Sequence, residues 1–278
     1  MFRPAAIVIE AFVAQVLASY DRLYPSADPA HRQALLQVAR MALQRIARSN
    51  APYHDLDHTI VVTQVGQDIC RGRVVRDGNV DSLNWVHFIV SLLCFAVGFS
   101  RNLCPGDAGE VCVADASGRT VTVPRDTSDG ALWPYFADRS KLFVRRYFRD
   151  HPVLDAERLA AGIEYTRFPP PADRNRETAS EPGLLRAAHF IGAVADPDFM
   201  LKMQPLFIEL REAGVAGGLG FDTAAAMKRG YAQLFWTVLH PLIGDGMDLL
   251  TYTAEGRVWL ANLHAHVLRA ERPAAAVR

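Results

Sequence analysis

The stretch from Leu83 to Phe99 is the most apolar in the chain, and it constrains what every other segment can become. Read as a helix begun at Asp81 or Ser82, it is apolar on both faces, so a stable fold must surround it with further helices. Asn84, His87 and Ser91 interrupt the run before 18 consecutive apolar residues accumulate, which favours a buried central helix over a membrane span. The chain can supply that surround: 278 residues, 50% of them hydrophobic, suffice for a large buried core.

Periodicity identifies the neighbours. Residues 5–20 and 30–48 carry apolar side chains at helical spacing, with Tyr24 to Pro29 as the break between them. A signal sequence at the N-terminus is disfavoured because Glu10 and Gln15 break the apolar run. A helix is expected from about Asp55 to Arg71, ended by Asp77-Gly78-Asn79, and others at 138–149 and 154–165, the latter stopped by Phe168 to Pro171. A polar loop, 172–182, precedes a helix carrying His189; helices follow at 198–213, 222–239, 241–250 and 254–270, with Thr253 capping the last.

The only β-like segment is a hairpin at about 111–123, and it reads equally as a cover for a pocket or as a surface decoration. Gly214, Gly217, Gly218 and Gly220 follow no strand, so they are not a phosphate-binding fingerprint. The tail, about 272–278, is expected to be loose. With no linker and no repeat, the prediction is one all-α domain over 1–278: a helical bundle around a buried central helix, with one small hairpin insertion.

Formal net charge is zero, which excludes nucleic-acid binding through a broad basic surface. Cys70, Cys94, Cys104 and Cys112 include no Cys-x-x-Cys pair and read as reduced, buried thiols of a cytoplasmic protein. Neither a membrane nor a nucleic acid is an expected partner.

Chemistry concentrates in Pro52-Tyr53-His54-Asp55-Leu56-Asp57-His58, which runs straight into apolar helix. Asp55 is a good helix cap; it would place His58 at the third helical position and His54 just outside. Imidazoles there suit metal ligation or proton transfer near neutral pH, or are simply polar residues at an exposed terminus.

Tyr53-His54-Asp55-x-x-His58-Thr59 resembles the opening motif of the HD/PDEase superfamily of metal-dependent phosphohydrolases. The similarity continues through Trp85 to Cys94, Glu164 to Pro169, Arg186-Ala187-Ala188 with Ala195-Asp196-Pro197, and Trp259 to Leu263. It implies an HD-domain-like helical bundle and a nucleotide-like or phosphorylated substrate. At the centre the chain departs from that pattern. Phe95 and Ala96 stand where the resemblance implies the His-Asp ligand pair, His189 stands for a ligand Asp, and Phe136 follows Pro134-Tyr135 where relatives carry His. Of the implied ligands, His58 alone is unchanged.

Without the His-Asp pair, no oxygen cage remains for a hard cation. No cofactor is therefore expected, and the implied role is a catalytically silent protein that binds a nucleotide-like or phosphorylated small molecule or a protein partner. The alternative is an active phosphohydrolase, or a redox or lyase enzyme on the same scaffold. It would hold Zn, Fe, Mn or Mg on His58 and His189, joined by His87 or Cys94, or by carboxylates recruited from Asp107, Asp129 or Glu164. His54 takes the acid–base position. Tyr53, Asp138, Arg139, Lys141, Glu164, Thr166 and Arg167 are the candidate ligand-binding groups, whereas Arg145, Arg146 and Arg149 read as a solvated face.

Overall fold

A computed structural model of the chain describes residues 4–78, 80–170 and 177–271. The expected loop over 172–176 and the tail from 272 lie outside the described residues. The fold is all-α with one small hairpin. In chain order the helices are α1 (Pro4–Leu23), α2 (Pro29–Ile46), α3 (Leu56–Asp77), α4 (Ser82–Cys94), α5 (Phe136–Tyr147) and α6 (Ala156–Glu164). After these come α7 (Glu181–Val194), α8 (Phe199–Glu212), α9 (Ala224–Leu234), α10 (His240–Leu250) and α11 (Ala254–Glu271). Strands β1 (Val111–Val113) and β2 (Thr120–Thr122) pair antiparallel, with Val111 opposite Thr122.

The apolar run forms α4, started by Asp81, whose side chain accepts from the N–H groups of Leu83 and Asn84. Every residue from Trp85 to Cys94 is buried, against α2, α3, α6 and α7. Each large apolar side chain buried there contributes about 1.5–3 kcal/mol before the entropy of ordering is counted. The helix stops at Cys94, and Val97–Phe99 turns once as a 3-10 helix instead of prolonging it. By length and composition, Pro4–Leu23 and Ser82–Phe99 are apolar enough to cross a membrane; 83% of the second window lies buried inside this fold, and 33% of the first.

Two long helices hold the centre. α3 begins at Asp55, whose side chain accepts from the His58 N–H, and runs past Arg71 to Asp77, where Gly78 closes it in the left-handed conformation. α7 begins at Ser180 and packs more extensively on α3 than on any other element. They approach closely because Gly192 of α7 lies over Val62 of α3; a Cβ on Gly192 would stand 2.8 Å from the Val62 Cα. That crossing brings His58 and His189 to one point.

The hairpin is fastened from beneath. Arg139, fully buried on α5, donates to the carbonyls of Gly98 (2.8 Å), Ser100 (2.8 Å) and Val113, and to both carboxylate oxygens of Asp107. Asp107 in turn accepts from the backbone N–H of Leu103, Cys104 and Val113. Gly98 lets α5 close on this turn, since a Cβ there would lie 1.9 Å from the Phe136 carbonyl oxygen.

Candidate functional site

His54, His58 and His189 converge from the start of α3 and the middle of α7, and all three are buried rather than exposed at a helix terminus. One nitrogen from each ring lies within 4.8 Å of the others. The ring centroids are separated by 4.9 Å (His54–His58), 5.6 Å (His58–His189) and 6.0 Å (His54–His189).

Each ring is oriented differently. His54 is set by Glu209 of α8, a fully buried carboxylate that sequence reasoning did not single out. Its Oε1 accepts from the backbone N–H of Tyr53 (2.6 Å) and His54 (2.8 Å), and its Oε2 accepts from His54 Nδ1 (2.7 Å). With Nδ1 engaged by a carboxylate, Nε2 is the nitrogen left to face other groups. His189 keeps Nδ1 without a partner. His58 has no partner at either nitrogen. Buried polar atoms in this condition are uncommon and costly.

Aromatic side chains enclose the cluster. Phe99 stacks on His54 with centroids 4.5 Å apart, Trp133 meets the same ring edge-on at 4.7 Å, and Tyr53 lies 4.7 Å from His58. Phe95 packs 4.6 Å from His189 and 6.1 Å from His58, and neither it nor the buried Ala96 offers a lone pair. The third imidazole of the group is therefore His54, not His87 or Cys94. His87 is spent elsewhere, its Nδ1 on the Leu83 carbonyl (2.8 Å) and its Nε2 accepting from the Asp155 N–H (2.9 Å). Burial pushes the Cys94 thiol up to about 12.

Beside the cluster lies a cavity of about 100 Å³. His54, His189, Tyr53 and Thr166 line one part; Phe168, Phe190, Met203, Leu210, Phe221 and Tyr231 are among the side chains completing it. Among the described residues no Lys or Arg lines it, and no hairpin residue does, so the hairpin is not its cover.

The other proposed ligand groups lie elsewhere and are mutually paired. Lys141 and Arg167 each bridge both Asp138 and Glu164, forming a closed ring of two cations and two carboxylates. Partial burial would raise the Glu164 carboxyl, but the hydrogen bonds from Arg167 and Lys141 bring it down to about 2. Arg139 is consumed by the hairpin clamp. Of the carboxylates that might be recruited, Asp107 belongs to that clamp and Asp129 accepts from Arg101, Ser49 and the Asn50 N–H. Arg145 pairs with Glu157 on the surface.

Burial pushes His58 well below the usual imidazole range, with the neighbouring rings adding to it; burial and His54 hold His189 down to about 3. Both rings are thus neutral in the fold and gain protons in the unfolded chain below about pH 6.5. Stability is present above that pH and falls as pH drops towards the folded value. For His189 alone the loss is about 2 kcal/mol between about pH 7.5 and about pH 5, with His58 adding in the same direction. Urea unfolding at the two pH values reads this directly; a smaller drop in the His189→Leu variant than in its parent is expected and assigns the difference to His189, and an equal drop would exonerate it.

A family model described as Npun_R2479-like matches residues 2–273. No curated protein and no solved structure matches the chain.

Proposed function

The chain belongs to the Npun_R2479-like family, and from that premise we propose that it is a derivative of the HD/PDEase phosphohydrolase scaffold that binds a small, mainly apolar molecule instead of hydrolysing a phosphoester. The resemblance of the Tyr53-to-Thr59 motif and of the later segments supports the scaffold. Phe95 and Ala96 support the loss of the dinuclear centre, because two-metal hydrolysis needs bridging oxygen donors at its middle.

The observation that carries the reading is the cavity. A phosphate placed there would meet no Lys or Arg among the described residues, and an unpaired anion in an apolar site is strongly disfavoured. Its volume, about 100 Å³, is below the roughly 150 Å³ of an engineered apolar cavity that admits benzene, and well below the roughly 300 Å³ at which drug-sized pockets begin. A nucleotide is too large and too charged. A short aliphatic body carrying one hydroxyl or similar group fits better, with the polar group turned to His54, His189 or the unpartnered Tyr231 hydroxyl.

2,2,2-Trifluoroethanol tests this by fluorine NMR. Saturable binding is expected, abolished by Ala193→Phe, which fills the cavity from α7, while ATP and an aryl phosphate neither compete nor turn over. Absence of saturable binding at millimolar concentration, or turnover of the aryl phosphate that Ala193→Phe abolishes, would overturn the proposal.

A further inference from the structure

We infer that His54, His58 and His189 form a mononuclear site for a borderline divalent cation of the zinc class, with its open coordination position towards the apolar cavity. Three observations converge on it. One nitrogen from each ring lies within 4.8 Å of the others, so a central point lies no more than about 2.8 Å from all three, and shifts of under about 1 Å reach the 2.0–2.1 Å of zinc–imidazole bonds. His58 has two buried nitrogens without a hydrogen-bond partner and His189 has one. Glu209 engages Nδ1 of His54; carboxylates hold metal-binding imidazoles in this way, fixing tautomer and orientation.

The donor set also selects the ion. Three imidazoles and no carboxylate suit zinc, cobalt, copper or iron, and do not suit magnesium or calcium. Phe95 beside His189, and Ala96 next to it, leave one ion's worth of donors rather than two. Three protein ligands leave a position open, as in catalytic zinc sites, and His54 and His189 both line the cavity. The inference rests on the binding reading only for what occupies that position: the polar group of the cavity's guest. It replaces the expectation of an empty centre, which had not counted His54 as a donor.

The experiment uses the full chain, stripped with a chelator and titrated with Co²⁺ or Zn²⁺ alone. One equivalent per chain is expected, with the visible ligand-field bands of four-coordinate Co²⁺. His54→Ala, His58→Ala and His189→Ala should each abolish the bands, and His264→Ala, an exposed site, should not. Glu209→Gln should keep the stoichiometry and weaken affinity by about 10–100-fold. X-ray absorption of the zinc-loaded wild type, which needs no variant to fold, should report three imidazole nitrogens in the first sphere. No stoichiometric ion, an ion retained by His58→Ala, or sulfur in the sphere would overturn the site. 2,2,2-Trifluoroethanol binding by the stripped protein is read separately, so loss of the metal site and loss of the cavity reading are distinguishable.

Discussion

Replacing Arg139 with leucine is expected to cost about 3–5 kcal/mol of stability, because it leaves the buried Asp107 carboxylate without its cation. Both side chains are almost wholly inaccessible, 0% and 1% exposed. Burial by itself would raise the Asp107 carboxyl; the hydrogen bonds from Arg139 and the Val113 N–H hold it below the ordinary carboxylate range instead. Without Arg139, that compensation falls to three backbone donors, and the carbonyls of Gly98 and Ser100 lose their side-chain partner. The damage should be local before it is global. Amide exchange at Val113, Val121 and Thr122 should accelerate strongly, while amides of α4 change only by the general loss of stability. Urea unfolding gives the total. A loss below about 1 kcal/mol would place Arg139 among exposed ion pairs, whose usual worth is that small.

The Glu209 substitutions should produce the second large effect, and two variants separate its parts. Glu209→Leu removes the acceptor from three buried donors at once, each costing about 1–3 kcal/mol when left unmade. A total near 3–5 kcal/mol is expected, with the Tyr53–Asp55 turn loosened and the start of α3 frayed. Glu209→Gln keeps one carbonyl oxygen for the Tyr53 and His54 N–H groups but turns an amide donor towards His54 Nδ1. The ring should then switch its proton from Nδ1 to Nε2. Nitrogen NMR of the imidazoles reads that tautomer directly. An unaltered His54 tautomer in Glu209→Gln would show that Glu209 does not set it.

How much of this was legible beforehand follows the range of each interaction. The α4 core helix, the Asp55 cap and the β1–β2 hairpin rest on neighbours within a few residues, and each was readable from spacing. The end of α3 was set too early: Val74 continues the apolar pattern beyond Arg71, and Gly78 is the stop. The short 3-10 turn at Asp129–Leu132 carries no periodic signal and was missed. Glu209 was invisible for a plainer reason. It sits on an ordinary amphipathic helix, 155 residues from His54, and only the packing of α8 against the Asp129–Leu132 turn brings it in. Arg139 misled in the opposite direction, since a cation on a basic amphipathic helix suggests a ligand contact, whereas this one faces inward to a carboxylate and three carbonyls. Asp138, Lys141, Glu164 and Arg167 read in sequence as ligand-binding groups; in the fold their charges pair among themselves.

The fastening of the hairpin has a consequence for traffic rather than for stability. Parting the hairpin from the helices means breaking Arg139 from Asp107 and three carbonyls, which is costly. The cavity is walled by other elements. Leu219 and Phe221 reach the cavity from the turn between α8 and α9, where Gly214, Gly217, Gly218 and Gly220 stand against open space and two of them hold positive φ. Rotations of a few glycine torsions there cost little. For the guest we propose, residence time is expected to be governed by that turn, with exchange from a protein whose core remains shut.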